Sequence, residues 1–189
     1  MRRRRRSSKR MRRRGPVGPL PEHNRAHRAL QRAHRSMENA DYANAAEIFE
    51  RLARGAHDRG ILRQAPRLYM QAGRAHMLAG NTEQGADLLR QGLSIFAGAQ
   101  RWGHLHQAGS RVVDELEQWG HTDLAKEFSD WLKETLPEKP ETYQHAGMQK
   151  SRPQLPIHCP SCGGPIHADD VEWLDATTAE CPYCGSGMR

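Results

Sequence analysis

Three observations predict an all-α array of about three helical hairpins, followed by a small β module at the C-terminus. The chain has 189 residues, a length that suits one domain of moderate size and a second, small one. Similar segments recur every 40 residues through its middle, and apolar residues within them recur at three- and four-residue steps, the spacing of one helix face. All four cysteines lie between residues 159 and 184, in two Cys-x-x-Cys pairs.

The basic character of the chain is concentrated at its N-terminus. The formal net charge is +7 at pH 7, yet residues 1–14 hold ten of the 29 Lys and Arg residues and no acidic residue. The other 175 residues carry 19 basic and 22 acidic side chains, a net charge of −3. Because ten like charges repel one another and a Gly/Pro-rich stretch follows them, residues 1–21 are predicted to be a disordered tail.

This tail is predicted to bind a polyanion such as RNA, DNA or an anionic surface; the alternative is a solvated tail that keeps the chain soluble. It has no aromatic residue to stack on bases, so the binding is expected to lack sequence specificity. The candidate polyanion-binding residues are Arg2, Arg3, Arg4, Arg5, Arg6, Lys9, Arg10, Arg12, Arg13 and Arg14.

A helix is predicted to begin at Glu22, because apolar residues then follow the helical period. Those residues are Ala26, Ala29, Leu30, Ala33 and Met37. Another face of this helix carries Arg25, Arg28, Arg32 and Arg35. This face either extends the polyanion-binding surface or is an ordinary solvated face. The histidines of the helix, which are His23, His27 and His34, are predicted to be solvent-exposed.

The 40-residue repeat organises the chain between its tail and its cysteines. A small residue stands at positions 40, 80 and 120, a polar residue follows it, and another small residue stands five positions on. The three sets are Ala40, Asp41 and Ala45; Gly80, Asn81 and Gly85; and Gly120, His121 and Ala125. Each unit is predicted to be a helix–turn–helix hairpin. One hairpin cannot bury its apolar face alone, but three stacked hairpins can.

The middle unit resembles the tetratricopeptide repeat (TPR) family. The matching residues are Tyr69, Ala72, Gly73, His76, Gly80, Gly85, Leu89 and Gly92. The resemblance implies stacked hairpins over residues 22–136 and a concave surface that binds a protein partner. The period of 40 residues exceeds the family's period of about 34, so extra length is expected between units, near Gly55–Gln64 and Gly98–Gly103. The consensus tryptophan and closing proline are missing from most units.

A proline-containing linker over residues 137–156 is predicted to lead to the C-terminal module, residues 157–189. The module contains Cys159-Pro160-Ser161-Cys162-Gly163 and Cys181-Pro182-Tyr183-Cys184-Gly185. Two such pairs at this separation are typical of zinc sites with four thiolate ligands. The predicted zinc ligands are Cys159, Cys162, Cys181 and Cys184. The module resembles zinc ribbons built from two Cys-Pro-x-Cys-Gly knuckles, and Trp173 is expected to form its small core.

A zinc site with four thiolates has no open coordination position, so we expect a structural metal and no enzymatic activity. His158 and His167 lie close enough in sequence to replace a cysteine ligand. The sequence Cys181-Pro182-Tyr183-Cys184 also occurs as the redox dithiol of glutaredoxins. That interpretation is disfavoured because the chain has a matching second pair and lacks the expected βαβ context.

These features predict a non-enzymatic adaptor that binds a protein partner through its helical repeats. The alternative is a nucleic-acid-associated protein that binds RNA, DNA or the ribosome through its basic tail. The C-terminal module itself has five acidic residues and one basic residue, which disfavours contact with phosphates. No apolar run is long enough to span a membrane and no secretory signal is apparent. Paired cysteine motifs favour a reducing, cytoplasmic location.

Overall fold

The computed structural model describes residues 22–138, 153–168, 171–175 and 177–189. Within these residues the chain forms six helices and, at its C-terminal end, a small antiparallel sheet. The helices are α1 (Glu22–Glu38), α2 (Tyr42–Asp58), α3 (Ala65–Leu78), α4 (Thr82–Gly98), α5 (Trp102–Gln118) and α6 (Thr122–Thr135). We call these six helices the array. None of the helices that the structure describes is long and apolar enough to cross a membrane.

A tight turn ends a helix every 20 residues along the array. The residue in each turn has a positive φ, and the five residues are Ala40, Gly60, Gly80, Gln100 and Gly120. In the central turn, the Gly80 N–H donates to the Met77 carbonyl at 3.0 Å and the Asn81 N–H donates to the His76 carbonyl at 2.9 Å. This paired arrangement closes a helix C-terminus by satisfying its last carbonyl groups. The 40-residue sequence repeat therefore corresponds to two helices and two turns.

The close packing of α3 on α4 depends on two glycines. A Cβ atom on Gly73 would lie 2.8 Å from the Gly85 carbonyl oxygen, and one on Gly85 would lie 2.9 Å from the Gly73 carbonyl oxygen. The absence of side chains at these two positions therefore allows the helices to approach closely.

The predicted extra length between units is correct at one junction and wrong at the other. Residues 59–64 connect α2 to α3, and Pro66 lies in the first turn of α3. Between α4 and α5, however, only residues 99–101 intervene, and Gly103 is already part of α5. Here the added residues extend the helices, because the turn at Gln100 closes as tightly as the turns within the hairpins.

The C-terminal module contains a three-stranded antiparallel sheet in the order β1-β2-β3. The strands are β1 (Glu172–Trp173), β2 (Ala179–Glu180) and β3 (Gly187–Met188). Glu172 pairs with Glu180, and Ala179 pairs with Met188. These short strands place the second cysteine pair between β2 and β3.

Two hydrophobic clusters form the interior. The first combines residues of α1, α2 and α3 with residues of the C-terminal module, among them Leu30, Phe49, Tyr69, Ile166 and Tyr183. The second lies between α3, α4, α5 and α6 and contains Leu93, Phe96, Leu105, Val112 and Phe128. The C-terminal module is therefore packed on the first half of the array and shares its core.

Candidate metal centre

The structure brings the four cysteine sulfur atoms together. All four lie within 4.8 Å of one another. The Cys159 and Cys184 sulfurs are 3.8 Å apart, as are the Cys162 and Cys181 sulfurs. A tetrahedral site with metal–sulfur bonds of about 2.3 Å has sulfur–sulfur edges of about 3.8 Å, whereas a disulfide bond is about 2.05 Å long. The arrangement fits a metal ion held by four thiolates, and zinc is consistent with it.

The two cysteine pairs have matching backbone geometry. We call residues 159–163 knuckle 1 and residues 181–185 knuckle 2. In knuckle 1 the Gly163 N–H donates to the Cys159 carbonyl at 2.8 Å, and in knuckle 2 the Gly185 N–H donates to the Cys181 carbonyl at 3.0 Å. The two glycines have φ values of 77° and 74°, a conformation that side chains with a Cβ atom adopt rarely. The glycine after each pair is therefore needed to close the turn.

A backbone N–H group and a side-chain hydroxyl also face the sulfur atoms. The Gly164 N–H donates to the Cys162 sulfur at 3.4 Å, and the Cys184 sulfur lies 3.2 Å from the Ser186 hydroxyl oxygen. Such contacts orient a ligand and stabilise its negative charge.

Thiol pKa values differ across the cluster because the sulfurs interact directly. Hydrogen bonds with Cys181 and Cys184, together with burial, raise the pKa of Cys162. The hydrogen bond with Cys162 lowers the pKa of Cys181, but the hydrogen bond with Cys184 and burial outweigh it and raise that pKa to about 12. The pKa of Cys184 is lowered because Cys162 and Cys181 hydrogen-bond to its sulfur. Four adjacent thiolates repel one another, so a bound cation is what would allow all four to ionise.

The two histidines considered as alternative ligands are not part of the cluster. His158 and His167 are both exposed, and the metal-binding group found within the described residues consists of the four cysteines. The predicted polyanion-binding residues of the tail, from Arg2 to Arg14, lie outside the described residues.

Knuckle 2 also attaches the C-terminal module to the array. Tyr183, between the two cysteines, is buried with 5% of its surface exposed. The Gln71 side-chain amide donates to the Tyr183 hydroxyl oxygen at 3.0 Å. The Tyr183 ring packs edge-on against His34 with centroids 5.4 Å apart, and His34 packs against Phe49 in the same way at 5.1 Å. The three rings join the module to α1 and α2.

Knuckle 1 contacts α1 through its backbone. The Gln31 side-chain amide donates to the Ser161 carbonyl at 2.7 Å. Just beyond this knuckle, a Cβ atom on Gly164 would lie 2.6 Å from the Tyr183 ring and 2.9 Å from His34 Nε2. The absence of a side chain at position 164 therefore allows both rings to pack there.

Acidic residues of the module form ion pairs with the array. Glu180 accepts from Arg63 at 2.6 Å. Glu172 is bonded by both Arg63 and Arg101. The sequence predicted an acidic surface that repels phosphates, but these two carboxylates face arginines of the array. The module and the array therefore present complementary charges where these ion pairs form.

His34 corrects the prediction that the α1 histidines are solvent-exposed. It is 5% exposed, and its Nε2 atom has no hydrogen-bond partner within the described residues. Burial, followed by the charge of His158, lowers the pKa of His34 from 6.5 to about 4. The imidazole is therefore neutral near pH 7 and contributes a packed ring.

Sequence reasoning also missed Tyr183, because Trp173 was expected to form the core of the module. Trp173 is only half-buried, whereas Tyr183 is fully enclosed. The signal available in the sequence was an aromatic residue between two ligand cysteines, a position that lies on the outside of the turn. An aromatic side chain there needs a neighbouring surface to bury it.

No protein-family model, curated protein or solved structure matches the chain. Its function is therefore inferred from its own residues and their geometry.

Proposed function

We propose that this chain is a non-enzymatic adaptor in which a TPR-like array and a structural zinc ribbon act as one binding body. The observation that carries this proposal is the single core shared by α1–α3 and the C-terminal module. A module docked through Tyr183, Glu172 and Glu180 cannot move freely relative to the array. Its metal then stabilises a surface assembled from both parts.

Zinc is the metal that the site fits best. Four cysteine thiolates in a tetrahedron are a typical structural zinc site and leave no position for an activated water. A module of this size buries too little apolar surface to fold without help. Zinc binding supplies on the order of 10–16 kcal/mol in comparable small domains. We place the protein in a reducing compartment such as the cytoplasm, where thiols remain available to metal.

The protein partner is proposed to bind a groove on the last hairpin, which we call the terminal groove. The groove lies between α5 and α6, has a volume of about 470 Å³ and is open to solvent. Val113, Leu132 and Leu136 provide its apolar surface, while His106, Asp114 and Lys133 provide polar groups. An apolar groove with a polar rim suits an amphipathic helix of a partner. The C-terminal module covers part of α1 and α3. The hairpin of α5 and α6 is therefore the end of the array whose surface is open to a protein partner.

The test is affinity purification from the source cell, with nuclease treatment, using the wild type and two matched variants. Val113→Gln changes a half-buried residue of the terminal groove, and Leu124→Gln changes a half-buried residue elsewhere on the same hairpin. We expect a nuclease-resistant protein to be recovered with the wild type and the Leu124 variant, and at least tenfold less with the Val113 variant. Equal recovery by the two variants, or no nuclease-resistant partner, contradicts the proposal.

The second candidate is a nucleic-acid-associated protein that binds through the basic tail. The density of positive charge in residues 1–14 supports it. Deleting those residues should then abolish binding to RNA and DNA, and binding by the full chain should weaken steeply with salt. Binding that survives the deletion and is flat with salt contradicts this candidate and leaves the adaptor proposal intact.

A further inference from the structure

One face of α1 presents four arginines that the fold does not use. Arg25, Arg28, Arg32 and Arg35 are all exposed. At 100° per residue these four positions fall within an arc of about 80°, and they span about 15 Å along the helix axis. We call them the arginine face. The acidic residues of α1 are its first and last residues, Glu22 and Glu38, so the four arginines outnumber them.

The arginine face differs from those arginines of the described chain that bind carboxylates. Within the side chains that the structure describes, which begin at Arg25, none of these four forms a hydrogen bond or ion pair. By contrast, Arg74 pairs with Glu115 at 2.6 Å and Arg90 pairs with Glu127 at 2.6 Å. Arg63 and Arg101 pair with acids of the C-terminal module. Several arginines of the described chain therefore bind carboxylates, whereas these four are exposed together on one helix face.

The other sides of α1 are occupied, which fixes the direction of the arginine face. Leu30 and Ala33 are buried against the core, His34 packs on Tyr183, and Gln31 binds the Ser161 carbonyl. An amphipathic helix that lies in a lipid interface buries its apolar face there. The apolar face of α1 is already covered by α2 and the C-terminal module, so only charge is offered to a ligand.

We propose that the arginine face binds the phosphate backbone of a nucleic-acid duplex. About 15 Å of duplex presents roughly nine phosphate charges, and four guanidinium groups on a rigid helix complement that charge. The face has no aromatic residue on which unpaired bases would stack, which disfavours a single strand as the ligand. Phosphate contacts position a protein on the duplex but do not distinguish one base sequence from another. This site goes beyond the proposed adaptor function, because it adds a second partner at the opposite end of the array from the terminal groove.

The test compares duplex binding by the full chain and by two variants of equal net charge. In the first, the four residues of the arginine face are changed to Gln. In the second, four exposed basic residues elsewhere are changed to Gln: Arg51, Arg59, Lys126 and Arg189. All three proteins retain the basic tail, so its contribution is common to them. Circular dichroism confirms that each variant keeps its helices.

Binding of short labelled RNA and DNA duplexes is measured by fluorescence anisotropy over a range of salt concentrations. Loss of four phosphate contacts should reduce the slope of log K against log salt by roughly 3 to 4, with at least a tenfold loss of affinity at low salt. The control variant should keep the wild-type slope. Equal slopes for the two variants overturn the proposal. It is also overturned if the arginine face controls binding to phosphatidylserine vesicles and not to duplexes. Neither result bears on the adaptor proposal, because that proposal rests on the terminal groove and not on duplex binding.

Discussion

Knuckle 1 and knuckle 2 hold their cysteines with matching backbone hydrogen bonds, but they meet the array in different ways. Each has a positive-φ glycine after its second cysteine. In knuckle 1, the residue directly before the second cysteine is Ser161, whose backbone carbonyl accepts from Gln31. In knuckle 2, that residue is Tyr183, whose side chain is buried between α1 and α3.

This difference separates the requirements of the metal from those of docking. Metal binding depends on the cysteines and on the turn that positions them, so both knuckles share those features. The position directly before the second cysteine supplies no ligand sulfur and is free to serve another purpose. Knuckle 2 uses it to anchor the module, which links metal binding to the packing of the first half of the array.

Loss of a metal ligand should have the largest effect, because it removes what both knuckles share. We expect Cys181→Ser to abolish zinc binding and to unfold the C-terminal module, since metal binding of about 10–16 kcal/mol supplies the folding free energy of such modules. The zinc content, measured by mass spectrometry, should fall from about one zinc per chain to none. Hydrogen exchange should show α1 and α3 losing protection while α5 and α6 keep it. Ser161→Ala is the control and should retain the metal. A metal-free Cys181→Ser protein whose module remains protected would refute the structural role of the metal.

Truncation of Tyr183 should break docking without breaking the metal site. Tyr183→Ala removes a buried aromatic side chain, and we expect a loss of about 3–5 kcal/mol in the free energy of unfolding. Tyr183→Phe removes only the hydroxyl that accepts from Gln71 and should cost about 1 kcal/mol. Chemical denaturation measures both, with zinc content as the check that knuckle 2 is intact. If Tyr183→Ala loses zinc as readily as Cys181→Ser does, docking and metal binding are not separable at this knuckle.

Lowering the pH should weaken the interface between the C-terminal module and the array, because His34 is buried there as a neutral imidazole. Its pKa is lowered from 6.5 to about 4 in the folded protein, so the unfolded chain binds the proton more tightly. The contribution of His34 is fully present above about pH 6.5, and stability falls as the pH drops toward 4, by up to about 3 kcal/mol. Unfolding free energies of the wild type and His34→Phe, measured across this range, isolate the effect because acid-induced metal loss is common to both. Parallel pH curves would contradict the burial of a neutral His34.

Adding a methyl group at position 164, next to knuckle 1, should lower stability more than a substitution at the equivalent position next to knuckle 2. Cys159 N–H donates to the Gly164 carbonyl and Cys181 N–H donates to the Ser186 carbonyl, so positions 164 and 186 are equivalent. A Cβ atom is present at Ser186 but would collide with Tyr183 and His34 at Gly164. We expect Gly164→Ala to destabilise the protein by about 1–3 kcal/mol and Ser186→Ala by less than 1 kcal/mol, with zinc retained in both. Equal effects on thermal unfolding would show that the rings do not pack closely over position 164.

The sequence by itself determined the features that depend on short stretches of chain. The 40-residue period located the helical hairpins, because helix periodicity and turn residues act over only a few positions. The spacing of the cysteines identified the four sulfurs that the structure brings together, because each pair needs only a local turn to position its ligands. Even so, the connection near Gly98–Gly103 was predicted to be long, whereas the chain closes it with a tight turn at Gln100, a position without the usual glycine.

Only the tertiary structure decided how the C-terminal module sits on the array and which residues it buries. Tyr183 binds Gln71 across 112 positions of sequence, and Arg63 binds Glu172 across 109. No local pattern specifies such contacts, because they depend on shape and charge matching between surfaces that exist only after both parts have folded. The same reason explains why His34 looked like a solvated histidine and Glu172 like a surface acid until the module was placed against α1 and α3.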